Sequence, residues 1–191
     1  MSFTQFTRPI QTKLHQYCYR FADHFSRPEN KFIRQMIFGI LKSGSVQLNS
    51  IARSLQEKIP LRKTVKRLSA HLDKPNLWQE VTTATLEAQR ALLRQCQFVI
   101  IDISDVCKKY AQTMEGLATV RDGSEGTLGT GYWQCNVTAV NDDATMVVPA
   151  YSELFSHQVE VTSENQKILN AKEQVMAHAA PESIAVLDRG G

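Results

Sequence analysis

The hydrophobic period of the chain changes at residue 97. Gln97–Ile103, QFVIIDI, is a β-branched apolar run broken only by Asp102. Such a run predicts a buried central strand. Everything before it repeats at helical spacing. Residues 31–42, KFIRQMIFGILK, set Phe32, Met36 and Gly39/Ile40 on one face, with Ile33, Ile37 and Leu41 beside them. Ser43-Gly44-Ser45 breaks the pattern. Leu48, Ile51, Ala52 and Leu55 predict a short amphipathic helix that Asn49 or Ser50 begins. A turn around Lys58-Ile59-Pro60 follows, and Thr64–Leu72 repeats the period through Val65, Leu68 and Leu72. Residues 74–95 predict a further helix through Leu77, Val81, Leu86 and Leu92.

After residue 97 the signals are mostly those of strands. Asp122–Gly131 is Gly-rich and comes before a second strand, Tyr132–Val140, with Gly123–Gly129 reading as a flexible turn. Asn141-Asp142-Asp143 predicts a turn, and Thr145–Tyr151 a third strand that Pro149 brings to its end. Thr162 or Ser163 caps a helix with Glu164 in its first turn, running to about Ala179 and stopped by Pro181. Ile184–Leu187 predicts another buried strand, before Asp188-Arg189-Gly190-Gly191. The expected class is therefore α/β: a helical region, then β-β-β-α-β. That order resembles the opening of a ribonuclease H-like core, left incomplete. Its crossover helix must return the chain so that the last strand lies parallel beside the first.

Charge divides the chain at the same place. Residues 1–96 carry 16 Lys+Arg against 6 Asp+Glu, and residues 97–191 carry 6 against 13. The two expected domains are thus a basic helical region, 1–96, and an acidic region, 97–191. A basic half suits a polyanion such as DNA. Two short helices joined by a turn, the second bearing Arg62, Lys63, Lys66 and Arg67, resemble a helix-turn-helix. An ordinary helical bundle with a solvated basic face is the competing reading. No apolar stretch approaches the roughly 20 residues of a membrane span. The N-terminus MSFTQFTRPIQTK lacks a secretory core. A cytoplasmic location with no membrane partner is expected. Cys18, Cys96, Cys107 and Cys135 show no zinc-site spacing and are expected to be buried or idle thiols.

Two acidic residues stand where acid is costly. Asp102 lies within FVIIDI, and Asp188 ends IAVLD. A carboxylate in a buried strand needs a cation or donors to offset desolvation. On neighbouring strands the two can hold Mg²⁺, a hard cation that takes carboxylate oxygens. A third carboxylate would complete a two-metal site for phosphodiester displacement. Strand-end capping is the alternative for each aspartate. Asp105, expected beyond the strand, ranks second to Asp102. The Gly123–Gly129 stretch lacks the Lys of a phosphate-binding loop and precedes a strand. His157 and His178 fit no ligand spacing and are expected to pack or face solvent.

The block IDISDVCKKYAQTMEGLATVRDGSEGTLGTGY, with VVPAYSELFS, SEN and VLDRGG after it, resembles the DDE transposases of bacterial insertion sequences. The resemblance covers about residues 30–191. It implies a helical DNA-binding region and an extended ribonuclease H-like catalytic domain. Asp102 would be the first catalytic carboxylate, with Ser104 the small hydroxyl residue near it. Asp188 would be the second carboxylate, followed by Arg189 close to a phosphate. Both aspartates would be metal ligands for Mg²⁺, with Mn²⁺ as a substitute, in the complete protein. The implied partners are transposon-end DNA and a second copy, as a homodimer in a synaptic complex. The family's third carboxylate lies well beyond the second Asp, and no residue here matches it. The expectation is an N-terminal, truncated portion of a transposase, inactive alone. The alternative is a non-catalytic DNA-binding fragment that inhibits the intact enzyme.

Overall fold

Ser26 starts the first long helix by donating to Glu29 through both its backbone N–H (3.0 Å) and its hydroxyl (2.6 Å). With Pro28 in the first turn, this fixes the start of α2, Arg27–Ser43. Gly44 closes it at φ +62°, its N–H bonded to the Ile40 carbonyl, a left-handed conformation that suits glycine. The structure, a computed structural model, describes residues 12–187 except 112, 122, 124, 125 and 160–162. Within these, residues 12–19 form α1, Leu48–Leu55 α3, Leu61–Leu72 α4 and Leu77–Leu93 α5. By contact the chain divides into two compact units, Met1–Ala84 and Thr85–Gly191, with the boundary inside α5.

In the first unit Phe32, Ile33, Ile51, Ala52 and Leu68 are buried. α2 and α3 meet at Gly39. A Cβ there would stand 2.5 Å from Cγ2 of Ile51, which is fully buried and β-branched. Gly39→Val is expected to destabilise the unit by about 1–3 kcal/mol through overpacking. Helix propensity alone predicts the opposite sign. Urea unfolding followed by helical circular dichroism decides it, and an unmoved or raised midpoint refutes the close approach.

The second unit is a five-stranded mixed sheet with one crossover helix, so the molecule is mixed α/β, helices first and strands after. The strands are β1 Phe98–Cys107, β2 Ala118–Arg121, β3 Leu128–Val140, β4 Val147–Phe155 and β5 Ile184–Leu187. β3 is the hub. One of its edges pairs antiparallel with β1 along its length, from Phe98↔Val140 to Cys107↔Gly131. Its other edge carries β2 at one end and β4 at the other. β5 lies parallel to β1 on the far side, from Phe98↔Ile184 to Ile101↔Leu187. Between β4 and β5 runs α6, Glu164–Met176, capped by the Ser163 hydroxyl, which accepts from Gln166 N–H at 3.2 Å. The core sits on one face of the sheet. Val99, Ile101, Cys135, Val137, Ala139, Val148 and Ala150 pack there with Ala171 and Val175 of α6 and with Leu86 and Leu93.

Several expectations are corrected. β1 continues to Cys107, so Asp105 lies inside the strand and not beyond it. β3 begins at Leu128, so Gly129 is a strand residue rather than part of a flexible turn, and Gly131 lies within the strand rather than before it. The reason for glycine at 131 is close approach: a Cβ there would strike the Val106 carbonyl. Pro149 does not end the third strand. It sits within β4 beside a bulge, where Val137 pairs with Tyr151 but Thr138 pairs with Pro149. Ala150 is the extra residue, and Ala150 and Tyr151 are consecutively buried as a result. Among the described residues β4 pairs only with β3, so the missing N–H of Pro149 disrupts no second ladder there. β5 is not a buried strand: Ile184, Val186 and Leu187 are exposed among the described residues.

Candidate functional site

Strand alternation separates Asp102 from the core. Val99 and Ile101 point toward α6, so Asp102 turns to the opposite face of the sheet, half-buried. On that face it stands across from Asn136, which in turn stands across from Ser152. The surroundings are polar: Asn136 Nδ2 lies 3.5 Å from Ser104 Oγ, and Gln134 Nε2 donates to Ser152 Oγ at 2.8 Å. Among the described residues no donor or cation partners the Asp102 carboxylate. Asp105 is different. Its Oδ1 accepts from the Gly123 N–H at 3.1 Å and its Oδ2 from Cys107 Sγ at 3.3 Å. Asp105 therefore anchors a turn, while Asp102 keeps its oxygens available.

Among the described residues the β1–β5 register runs to Ile101↔Leu187, one residue before each aspartate in the sequence. Asp188 and Arg189 lie outside the described residues. Among the described residues no three His, Cys, Asp or Glu side chains group closely enough to hold a metal. Asp102 is a hard oxygen donor of the type Mg²⁺ takes, and one carboxylate alone does not make a metal site.

A second polar cluster escaped the sequence reading. Lys167 of α6 pairs with Glu153 of β4 at 2.7 Å, with side chains only 8% and 13% exposed. Tyr151 Oη donates to the other Glu153 oxygen at 2.8 Å, and the Lys167 ammonium lies 5.7 Å from the Phe155 ring centre. Burial, then the hydrogen bond to Glu153 and its charge, push the Tyr151 hydroxyl well above its usual range. Cys135, opposite Glu153 in register, is pushed up to about 11 by burial and by the charges of Glu153 and Asp102. It is an inert thiol at neutral pH. The signal was present in the sequence. Tyr151, Glu153 and Phe155 alternate on one strand face, and Lys167, Ala171 and Val175 share one helical face.

In the first unit, α3 and α4 are joined by Gln56–Pro60, with Gln56 at φ +51°. Arg62, Lys63 and Lys66 are exposed on α4, opposite Thr64 and Leu68, and none of the three has an acidic partner among the described residues. Arg67 behaves otherwise. Its guanidinium donates to Glu57 Oε2 and Gln35 Oε1, both at 2.6 Å, and Gln35 and Thr64 also donate to Glu57. Burial opposes ionisation of Glu57, but these hydrogen bonds and the Arg67 charge win and hold its carboxyl below the usual range. Arg67 thus ties α4 to α2 and to the α3–α4 turn. The first turn of α4 holds no acidic residue, although the positive end of a helix dipole disfavours Arg and Lys there.

His157 packs on Trp133, ring centres 4.6 Å apart, and the His178 ring bonds the Gln174 carbonyl oxygen at 3.0 Å. Cys18, Cys96 and Cys135 are buried and Cys107 is half-buried, all unpaired to one another. No helix among the described residues is long and apolar enough to cross a membrane. No protein-family model matches the chain, and no curated protein matches it.

Proposed function

We propose that the chain is the N-terminal part of a DDE transposase, supplying its DNA-binding helices and the first two carboxylates of a site for DNA cleavage and strand transfer. The observation that carries the reading is the parallel β1–β5 register beside Asp102, whose carboxylate has no donor or cation partner among the described residues. An antiparallel β1–β3–β4 set, a crossover helix and a fourth strand parallel to β1 is also the order of a ribonuclease H-like core. The reading requires Asp188 beside Asp102, with a third carboxylate from outside these 191 residues. Mg²⁺ held there would supply the Lewis acidity that activates an attacking hydroxyl and stabilises the leaving oxygen. The role of this chain is to present Asp102 in a fixed orientation, set by the β1–β3 ladder on one side and β5 on the other.

A test that needs no third carboxylate is iron-directed cleavage of the polypeptide. Fe²⁺ with ascorbate and peroxide generates radicals that cut the chain next to a bound ion. Cuts at both residue 102 and residue 188 are expected, suppressed by excess Mg²⁺ and lost in Asp102→Asn. Cutting at neither position overturns the reading. The runner-up, a non-catalytic DNA-binding fragment, is favoured by the three α4 cations that have no acidic partner among the described residues. It retains DNA binding without metal-directed cutting.

A further inference from the structure

Beyond Cys107 the chain leaves β1 through Lys108, Lys109 and Tyr110. The Lys108 N–H bonds the Thr130 carbonyl at 2.7 Å, extending the ladder by one step, and the Ala111 N–H closes a turn on the Lys108 carbonyl at 3.0 Å. This turn holds Tyr110 outward, 97% exposed. A hollow of about 350 Å³, lined by Cys107, Lys108, Lys109, Tyr110 and Ala111, opens beside it. The Lys108 ammonium has no acidic partner among the described residues. Residues 97–191 carry 13 acidic and only 6 basic residues, and two of the six adjoin this tyrosine.

We propose that the Lys108–Tyr110 loop is a nucleic-acid contact, in which Tyr110 stacks on an unpaired base and Lys108 takes a backbone phosphate. The proposal rests on the reading of this unit as one that acts on DNA, and it names how the strand is held. A phenol ring almost wholly in water offers a bare π-face, and any base can stack on it. The Lys108 cation beside the ring serves the phosphate, which an apolar protein anchor does not need. The spacing also suits the candidate chemistry. Lys108 lies six residues along an extended strand from Asp102, roughly 20 Å at about 3.3 Å per residue. At about 3.4 Å per nucleotide that is about six nucleotides from the strand position facing Asp102.

The experiment uses the full 191-residue chain and a 12-nucleotide thymidine strand carrying one 2-aminopurine, read by anisotropy and by quenching of the 2-aminopurine. Tyr110→Ala is expected to weaken binding about 10-fold, the scale of one lost base stack, and to abolish quenching, while Tyr110→Phe keeps both. Lys108→Ala is expected to lower the salt slope by about 0.7, one single-strand phosphate. Because Tyr110 is exposed, its loss leaves the fold intact. Wild-type binding that Tyr110→Ala leaves unchanged in affinity and quenching overturns the loop proposal alone. A wild-type chain with no affinity for single or double strands overturns both it and the DNA reading.

Discussion

Lys167→Met is expected to destabilise the second unit by about 3–5 kcal/mol, because it strands the Glu153 carboxylate in a nearly dry site with, among the described residues, only Tyr151 as donor. For a chain of this length each kcal/mol moves the midpoint by about 2–4 °C, so Tm should fall by roughly 6–20 °C. The size of the loss comes from the orphaned charge rather than from the worth of the pair. The double replacement Lys167→Met with Glu153→Gln should therefore recover much of it. Thermal unfolding of the native chain and the two variants measures both effects. A Tm unmoved in Lys167→Met would mean that water reaches the pair and carries the charge instead.

Replacing Arg62, Lys63 and Lys66 together by Ala is expected to flatten the salt dependence of duplex binding. Each phosphate contact adds about 0.9 to the slope of log affinity against log salt, so three contacts account for about 2.7. Raising salt from 50 to 200 mM should then weaken the native chain about 40-fold more than the triple variant. The helix should not suffer, since these side chains are exposed and its first turn loses unfavourable charge. Arg67→Ala is the contrasting case. It removes the ties to Glu57 and Gln35, so it should lower stability while leaving the slope nearly unchanged. Salt titrations by fluorescence anisotropy separate the two. A slope equal in the triple variant and the native chain would remove α4 from the DNA contact.

The order of helices then strands and four of the five strands were readable, because Val, Ile and alternation mark β1, β3 and β5 directly, and Ser163-Glu164 marks the start of α6; the expected β-β-β-α-β lacked β2. What the sequence hid has physical causes. β1 beyond Ile103 is Ser104, Asp105, Val106 and Cys107, whose polar members mimic a loop until Asp105 is seen bonding the Gly123 N–H. β2 is four residues long, with only Ala118 and Val120 inward, too short for a period to register. Gly131 resembles a hinge in sequence but answers to the Val106 carbonyl across the ladder. Pro149 signals a strand end only if the strand is paired on both edges. At the candidate site, Asp102 stood out as acid in an apolar run. Nothing in local spacing says that Arg67 is occupied by Gln35 and Glu57, 32 and 10 residues away in the chain.

The short parallel pairing of β5 has a consequence for the order of assembly. β3 and β4 are joined by a tight turn and can close locally, whereas β5 can dock only after α6 has carried the chain across the sheet. Among the described residues, four register positions, Phe98 to Ile101, hold it to β1. The β1–β5 seam, built from non-local contacts, is therefore expected to close after the β3–β4 hairpin. Any ligand that binds across the closed seam shifts its local opening equilibrium by mass action. Hydrogen exchange at Ile184–Leu187 is the natural gauge of occupancy, because protection there rises with each bound ligand while the β3–β4 amides stay unchanged.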